Sequence, residues 1–587
     1  MVYQFSSGVN DCKIARRVIG EGILGLLSSA RGLRGMGSLV LAAAATTVLA
    51  QVPPVPDAGR IQEQLRQPAV PKKPAAAPQI RVEQPTGGAQ ADTPPFFVDH
   101  FQVTGATVFS EEQLQRLLGT PKRPMTLAEV QKLADKITEA YKARGYIVAR
   151  ALIPAQDVRD GVVEVRVVEG RYERIEINNS SEMSESRIRA LLGNVREDAI
   201  VHGPTLERAV LLISDLAGIQ PKATLEPGAQ AGYTNLVLDI TPTKSPDFDV
   251  TIDNGGSLYT GRVRLNAGVT SNSPFNIGDR LSARAIYSGV GLSSIRFAYD
   301  APVGGSGLRA SGYVSETQYR LGDVYQSLDA NGEARYLGVG LNYPFVRSAS
   351  LNVRGTLNVE GREFTDRIGS LGIKNVKSGQ VVQWGGGGDF RDSLLGGSIT
   401  AVQAMMTHGR LILNTPQQVA ADEATARTYG NYHKLVLSAN RLQGITDNLR
   451  VVLNYTQQFA ADNLDSSEKF SVGGITGVRA YPAGEAAGDD AYLIQAELRF
   501  NAGTLFGGQV TPSAFYDHAH SQINHRPWDT FTGKNVRSLS GYGLGLEWLR
   551  APAYFARVWF AHKVGSEVAL AEPDKTNRTW VQIGALF

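Results

Sequence analysis

The chain has 587 residues, of which 42% are hydrophobic and 20% are charged, and its formal net charge at pH 7 is +3. Outside the N-terminal region, no apolar run reaches the ~18 residues that a transmembrane helix needs. Residues 1–50 hold five Lys/Arg and two Asp/Glu, so the remainder carries 54 of each and is close to neutral. The composition therefore argues against a helical membrane protein and gives no support for nucleic-acid binding.

Residues 1–50 have the pattern of a secretory signal peptide. Four arginines precede the apolar core Leu39–Leu49, which is too short to span a membrane, and Ala50 ends a small-residue cleavage site. The single cysteine, Cys12, lies in this segment, so the mature chain would form no disulfide. The length of the lead leaves open an extended type of signal peptide, a start other than Met1 and a retained anchor.

Residues 51–95 are rich in Pro, Gln and Ala, a composition typical of a linker. Residues 57–67 differ, because they are mostly helix formers and place Ile61 and Leu65 four positions apart. The sequence leaves a short helix and a disordered linker equally open for this stretch.

Residues 96–170 and 171–243 carry two copies of one β-α-α-β-β pattern. In the first copy, capping boxes at Ser110 and Thr126 predict the starts of two helices. A strand is predicted at 147–153, and the last strand, Val162–Val168, alternates three valines with polar residues. These three valines are Val163, Val165 and Val167. The second copy predicts strands at 172–177, 223–225 and 235–240 and helices at 184–192 and 205–216.

From residue 245 to 587, helical signals disappear and apolar and polar residues alternate. We count about sixteen candidate strands of roughly 9–12 residues, the length that a tilted membrane strand needs. Short connections alternate with long ones, as they do in membrane barrels with short periplasmic turns. The predicted long connections are 365–378, 409–431, 460–489, 519–538 and 565–578. The expected fold class is therefore α+β domains followed by a transmembrane β-barrel of about 16 antiparallel strands, with a soluble sandwich as the alternative.

Two such units before a barrel resemble POTRA (polypeptide-transport-associated) domains, and the whole arrangement resembles the TpsB transporters of two-partner secretion. In the predicted inward-folded loop 460–489, Val478-Arg479-Ala480-Tyr481 resembles the family's Val-Arg-Gly-Tyr motif. On the thirteenth barrel strand, Phe515-x-Asp517-x-Ala519 resembles its Phe-x-Asp-x-Gly motif. Both motifs have Ala where the family has Gly. The segment Asp215–Ile219 resembles the family's turn after the second POTRA helix.

The resemblance implies an outer-membrane translocator whose POTRA domains, in the periplasm, capture an unfolded TpsA-type exoprotein. Alternation places Asp517 on the lumen side, where its carboxylate could pair with Arg479. The resemblance also implies that residues 57–67 form a plug helix inside the barrel. The strand Val162–Val168, with Val163, Val165 and Val167, is a candidate edge for an extended substrate.

Further partners follow from the predicted location. The terminal aromatic Phe587, on an alternating strand, resembles the signal that the barrel-assembly machinery recognises. Periplasmic chaperones and outer-membrane lipids, including lipopolysaccharide, are expected as partners, and nucleic acid is not. No catalytic, cofactor or metal-binding pattern is present in the sequence, so we expect no enzyme and no cofactor.

Two alternative functions remain open from the sequence. One is a BamA-like insertase for outer-membrane proteins, and the other is a passive porin, which would leave residues 96–242 without a role. The sequence also leaves open whether the exoprotein is an adhesin, a cytolysin or a contact-inhibition toxin.

Overall fold

The computed structural model describes residues 55–65, 80–82, 94–551 and 553–587. The predicted signal peptide and most of the predicted linker lie outside these residues. The first described elements are α1 (Ala58–Gln64) and β1 (Ile80–Val82). None of the helices in the described ranges is both long and apolar enough to cross a membrane.

The first α/β unit packs two helices on a small sheet. Its elements are β2 (Phe96–Val98), β3 (His100–Thr104), α2 (Glu111–Leu118), β4 (Arg123–Met125), α3 (Leu127–Ala143), β5 (Arg150–Leu152) and β6 (Val162–Val168). Both predicted capping boxes form, since Ser110 and Thr126 each accept a hydrogen bond from a backbone N–H three residues later. Strand β5 has three residues and is shorter than the predicted 147–153.

Strand β6 lies in the middle of the sheet β3-β6-β5. It pairs in parallel with β3 and antiparallel with β5, so its backbone groups are bonded on both sides. Val163, Val165 and Val167 are 0%, 0% and 3% exposed and belong to the core of the unit. The prediction of a free edge at Val162–Val168 is therefore wrong, and the three valines stabilise the core instead of forming a binding surface.

A buried carboxylate, Glu169, fastens the loop after β3 to helix α3. It accepts hydrogen bonds from the N–H groups of Thr107 (2.6 Å) and Val108 (2.9 Å) and from the hydroxyl of Tyr141 (2.8 Å). Burial alone would raise the pKa of Glu169, but these bonds and one from the Thr107 hydroxyl outweigh it, so the pKa lies below its usual range.

We expect Glu169→Gln to weaken this loop by about 1–3 kcal/mol, because the charged acceptor of several hydrogen bonds is lost. Since the folded pKa is lowered, the stabilisation by Glu169 is present above the unfolded pKa of ~4.3 and is lost as the pH falls through the folded value. Hydrogen exchange at Thr107 and Val108 in the intact protein measures this effect. Glu139→Gln is the control and should leave exchange unchanged, because Glu139 lies at an exposed position of helix α3.

The second unit has the same general build. Its elements are β7 (Arg171–Asn179), α4 (Glu185–Leu192), α5 (Gly203–Ser214), β8 (Ile219–Pro227) and β9 (Tyr233–Pro242). The sheet order is β1-β8-β9-β7, so β1, from the segment before the first unit, adds in parallel to the edge strand β8. The apolar faces of α4 and α5 cover this sheet and form its core.

The remainder of the described chain forms a closed antiparallel barrel of sixteen strands plus the two-residue strand β22. Its elements are β10 (Asp247–Asp253), β11 (Arg264–Asn272), β12 (Arg280–Tyr287), β13 (Leu292–Val303), β14 (Leu308–Arg320), β15 (Ala330–Arg347), β16 (Leu351–Ile368), β17 (Ile373–Asp392), β18 (Ser398–Leu413), α6 (Pro416–Glu423), β19 (Gly430–Gly444), β20 (Leu449–Ala460), β21 (Asp490–Phe500), β22 (Thr504–Leu505), β23 (Gly508–Gln522), β24 (Val536–Arg550), β25 (Tyr554–Val564) and β26 (Asn577–Leu586). Pairing of β10 with β26 closes the barrel.

Several strands are longer than predicted. They range from 7 residues in β10 to 20 in β17. The predicted loop 365–378 is mostly strand, because β16 and β17 stay paired up to Ile368 and Ile373. Period-two alternation cannot reveal this extension, since the polar ends of the strands project beyond the apolar band and look like loop sequence.

The second unit docks on the short turns of the barrel. Asp215, at the end of α5, forms a two-point ion pair with Arg347 at 2.8 and 2.9 Å. Arg208 donates to the carbonyl of Pro344 at 2.9 Å. The turn that follows α5 thus fixes this unit to the mouth of the barrel, which gives the motif Asp215–Ile219 a positioning role.

Candidate functional site

The connection between β20 and β21, residues 461–489, folds back into the barrel. Its apolar residues pack on the inner wall in a cluster that includes Val478, Tyr481 and Phe515. Glu485, which is fully buried, accepts hydrogen bonds from the N–H groups of Leu570 (2.9 Å) and Ala571 (2.8 Å) and pairs with Arg537. The loop is therefore bound to strand β24 and to the connection between β25 and β26, and not only at its tip.

Arg479 is the main polar anchor of the loop tip. Its guanidinium makes two parallel hydrogen bonds to Asp517, both 2.8 Å, and a third, also 2.8 Å, to Glu497. It lies over the ring of Phe515, with its central carbon 3.5 Å from the ring centroid. The backbone N–H of Arg479 donates to Asp517, and its carbonyl accepts from the indole of Trp580 at 2.7 Å.

This arrangement places the predicted motif residues together. Phe515 and Asp517 face the lumen and are 5% and 0% exposed, while Tyr516 between them is 47% exposed on the outer wall. The side chain of Arg479 is only 6% exposed. Its charge is stable in this buried position because the carboxylates of Asp517 and Glu497 both bind it. A planar, two-point guanidinium–carboxylate contact fixes both position and orientation.

The alanines that replace the family's glycines are accommodated by the local packing. Ala480 is buried, and a Cβ on Gly541 of the facing strand would come within 2.5 Å of the Ala480 methyl. The wall therefore has a glycine where the loop has an added methyl group. Ala519 is likewise fully buried in the same cluster.

Helix α1 lies inside the barrel. Ala58 and Ile61 are each 1% exposed and pack against lumen-facing aromatic residues of β14, β15 and β16. The N–H of Ala58 donates to Asp366 of the wall at 2.8 Å. Gly59 lies so close to the inward loop that a Cβ there would be 2.7–2.8 Å from the backbone and side chain of Ser467.

One wall lysine joins the helix and the loop. Lys377 donates to Asp57, which precedes α1, at 3.2 Å and to both oxygens of Asp465 in the loop at 2.9 Å. Ser466 of the loop also donates to Asp57. The residue before α1, the loop and the wall thus share one ionic cluster, in which the side chains of Lys377 and Asp465 are 11% and 13% exposed and that of Asp57 is 30% exposed.

The sequence indicated only part of this site. Arg479, Asp517 and the helix near 57–67 were predicted, whereas Glu497 and Lys377 were missed as anchors. Alternation alone places Glu497 on the polar face of β21, which was the available signal. No local pattern links Lys377 to Asp57, because the two lie 320 positions apart.

Comparison with known proteins agrees with this architecture. Residues 232–548 match the family model described as haemolysin secretion/activation protein ShlB/FhaC/HecB, and residues 96–170 match the ShlB-type POTRA domain. The chain belongs to this haemolysin secretion/activation family. Its members are outer-membrane transporters of the two-partner secretion type, so the barrel lies in the outer membrane and the POTRA units in the periplasm. The family is one of transporters, not enzymes.

Individual relatives match this chain over most of its length. The chain is 25% identical over 470 residues to the heme/hemopexin transporter protein HuxB of Haemophilus influenzae, covering 79% of this chain and 82% of HuxB. It is 24% identical over 465 residues to the outer membrane transporter CdiB of Dickeya dadantii, covering 75% and 78%. The solved structure of CdiB from Escherichia coli superposes with a TM-score of 0.69 at 18% identity, covering 86% of this chain and 93% of CdiB.

Proposed function

We propose that this transporter exports its exoprotein through the barrel lumen after α1 has left its resting position, while Arg479 keeps the tip of the inward loop at the wall. The observation that carries the proposal is how the lumen is filled. Helix α1 and the loop are held by side-chain contacts and packing, and neither belongs to the strand pairing that closes the barrel. Helix α1 can therefore leave the lumen without any change in the strand pairing, and the loop, which is bound more extensively, stays at the wall. Neither an insertase nor a passive porin agrees with the family match.

The POTRA units are proposed to capture the exoprotein at strand β5 rather than at β6. In the described part of the chain, β5 pairs with β6 on one side only, so its other edge can receive an extended peptide. Leu152 of β5 is 46% exposed and lines a cavity of about 230 Å³ between the two units. Val148, Leu225 and Tyr233 also line this cavity, which suits an apolar side chain of the captured segment.

We expect Leu152→Asp to weaken binding of the exoprotein's N-terminal region about tenfold, because burying one leucine contributes about 1.5–3 kcal/mol. Titration calorimetry on the intact transporter in detergent measures the affinity. Phe97→Asp is the matched control, since Phe97 is 53% exposed on another strand of the same unit. Equal affinity of the Leu152 variant and the unmodified protein would exclude β5 as the capture edge.

Other partners are proposed from the location of the protein. The barrel-assembly machinery is proposed to recognise the aromatic residue Phe587, which follows the closing strand β26 and is 56% exposed in the folded barrel. Periplasmic chaperones would deliver the unfolded barrel, and outer-membrane lipids would surround the folded one. No cofactor enters this mechanism.

A further inference from the structure

The outward-facing residues of β13–β16 change from apolar to polar toward the end of the barrel that carries the long loops. Ile295, Val314 and Leu337 point outward and are 44%, 50% and 66% exposed, as lipid-facing residues are. Two positions further along the strands, outward residues are polar, beginning with Ser293 and Glu316. The apolar band therefore ends here, and the next outward rows lie at the level of the headgroups of the outer leaflet.

One of these rows contains two arginines. Arg320 of β14 and Arg367 of β16 both face Asn331 of β15, which lies directly between them in the strand register. Their side chains are 71% and 41% exposed. The strand spacing of about 4.8 Å places the two guanidinium groups on one short arc of the wall.

These residues line a recess of about 460 Å³ on the outer surface. Gln318 adds a second side-chain amide, and Tyr287, 56% exposed, adds an aromatic ring. Glu333 also lines the recess, where it pairs with Arg367 at 3.3 Å and with Arg335 at 3.2 Å. The ion pair of Arg320 with Asp329 spans 4.0 Å and is exposed to solvent, so it holds the guanidinium weakly.

We propose that this recess binds the phosphorylated sugar headgroup of an outer-leaflet glycolipid. Guanidinium groups bind phosphate oxygens with two parallel hydrogen bonds, and Arg320 and Arg367 offer this geometry. Asn331 and Gln318 can bond sugar hydroxyls, and Tyr287 lies at the membrane boundary, where aromatic side chains are stable. The site faces the membrane and is separate from the lumen, so it does not depend on the export route.

Its expected role is to fix the orientation and depth of the barrel beside α1. Arg320 and Arg367 each follow, in sequence, a lumen residue that contacts α1. These lumen residues are Tyr319 and Asp366, which also contact each other. A lipid held on the outside therefore stiffens the strands that hold α1 on the inside.

The test is a titration of the full-length transporter in detergent with diphosphorylated lipid A, followed by native mass spectrometry. We expect the unmodified protein to bind this lipid at least about tenfold more tightly than dephosphorylated lipid A, because charge-assisted bonds are lost without phosphate. The double variant Arg320→Gln, Arg367→Gln should lose this preference. Arg410→Gln is the control and should retain the preference. Arg410 is an exposed arginine on β18, two strands from β16, and lies level with Gly361, six positions from Arg367.

Correct folding of each variant is verified by its heat-modifiable migration on a gel. If the double variant fails to fold, Arg320→Gln alone is used, since the weak ion pair of Arg320 makes a folding defect unexpected. Equal binding of the two lipids by the unmodified protein, or unchanged preference in a folded variant, would overturn the proposal.

Discussion

Replacing Arg479 with alanine is expected to reduce secretion by about tenfold or more while the barrel stays folded. The change leaves Asp517 and Glu497 buried without the cation that both bind. Removing one partner of a buried ion pair costs about 3–5 kcal/mol, and each 1.4 kcal/mol corresponds to tenfold in an equilibrium. A cavity of about 410 Å³ beside Arg479 admits water and lowers this cost. The readout is secreted exoprotein per barrel, with heat-modifiability as the measure of folding.

The partner variants distinguish a shared contact from independent roles. Asp517→Ala should lose less than Arg479→Ala, because Glu497 still binds the guanidinium. The double variant should be little worse than Arg479→Ala alone, since both changes act through one contact. Arg479→Lys should restore little secretion, because an ammonium group cannot make the two parallel bonds. Additive losses in the double variant would show that Arg479 and Asp517 act separately.

Arg499→Ala is the matched control for these variants. Arg499 also pairs with Glu497, but its side chain is 42% exposed and it lies on the wall rather than on the loop. Its removal should therefore change secretion little. A loss as large as that of Arg479→Ala would assign the effect to lumen charge instead of to docking of the loop.

Deleting residues 57–67 is expected to raise ion conductance in planar bilayers severalfold and to leave secretion largely intact. A sixteen-strand barrel encloses a lumen that side chains of the wall cannot fill, and a helix about 10–12 Å across occupies part of it here. Because α1 lies on the export route, the exoprotein must displace it in any case. Unchanged conductance would show that α1 does not limit the pore.

A single substitution tests the contact between α1 and the inward loop without removing the helix. Gly59→Ala places a methyl group where the backbone of Ser467 lies, so it should displace α1 and raise conductance. Arg60→Ala is the control, because the bond from its backbone N–H to Asp57 does not need the side chain. If both variants conduct alike, the close approach of Gly59 to the loop is not what holds the helix.

Several features of the protein follow from its sequence alone. Alternation with a period of two separates lipid-facing from lumen-facing residues, which is why the sequence alone places Asp517 on the lumen side. Capping boxes identify helix starts because donor and acceptor lie three residues apart, as at Ser110 and Thr126. The family motifs around Arg479 and Phe515 then indicated which loop enters the barrel.

Other features were decided only by tertiary structure. Alternation shows which face a strand buries but not which strands lie beside it. It therefore predicts a free edge at β6, although β6 lies between β3 and β5. The strand order depends on contacts between residues far apart in sequence, and no local pattern encodes these. The same reason explains Lys377, which joins Asp57 and Asp465, and Gly541, which makes room for Ala480. Local sequence patterns thus predict which residues of a barrel strand face the lipid and which face the lumen, and they identify the charged residue at the loop tip. The contacts that hold α1 and the inward loop in the lumen depend on packing across the closed barrel.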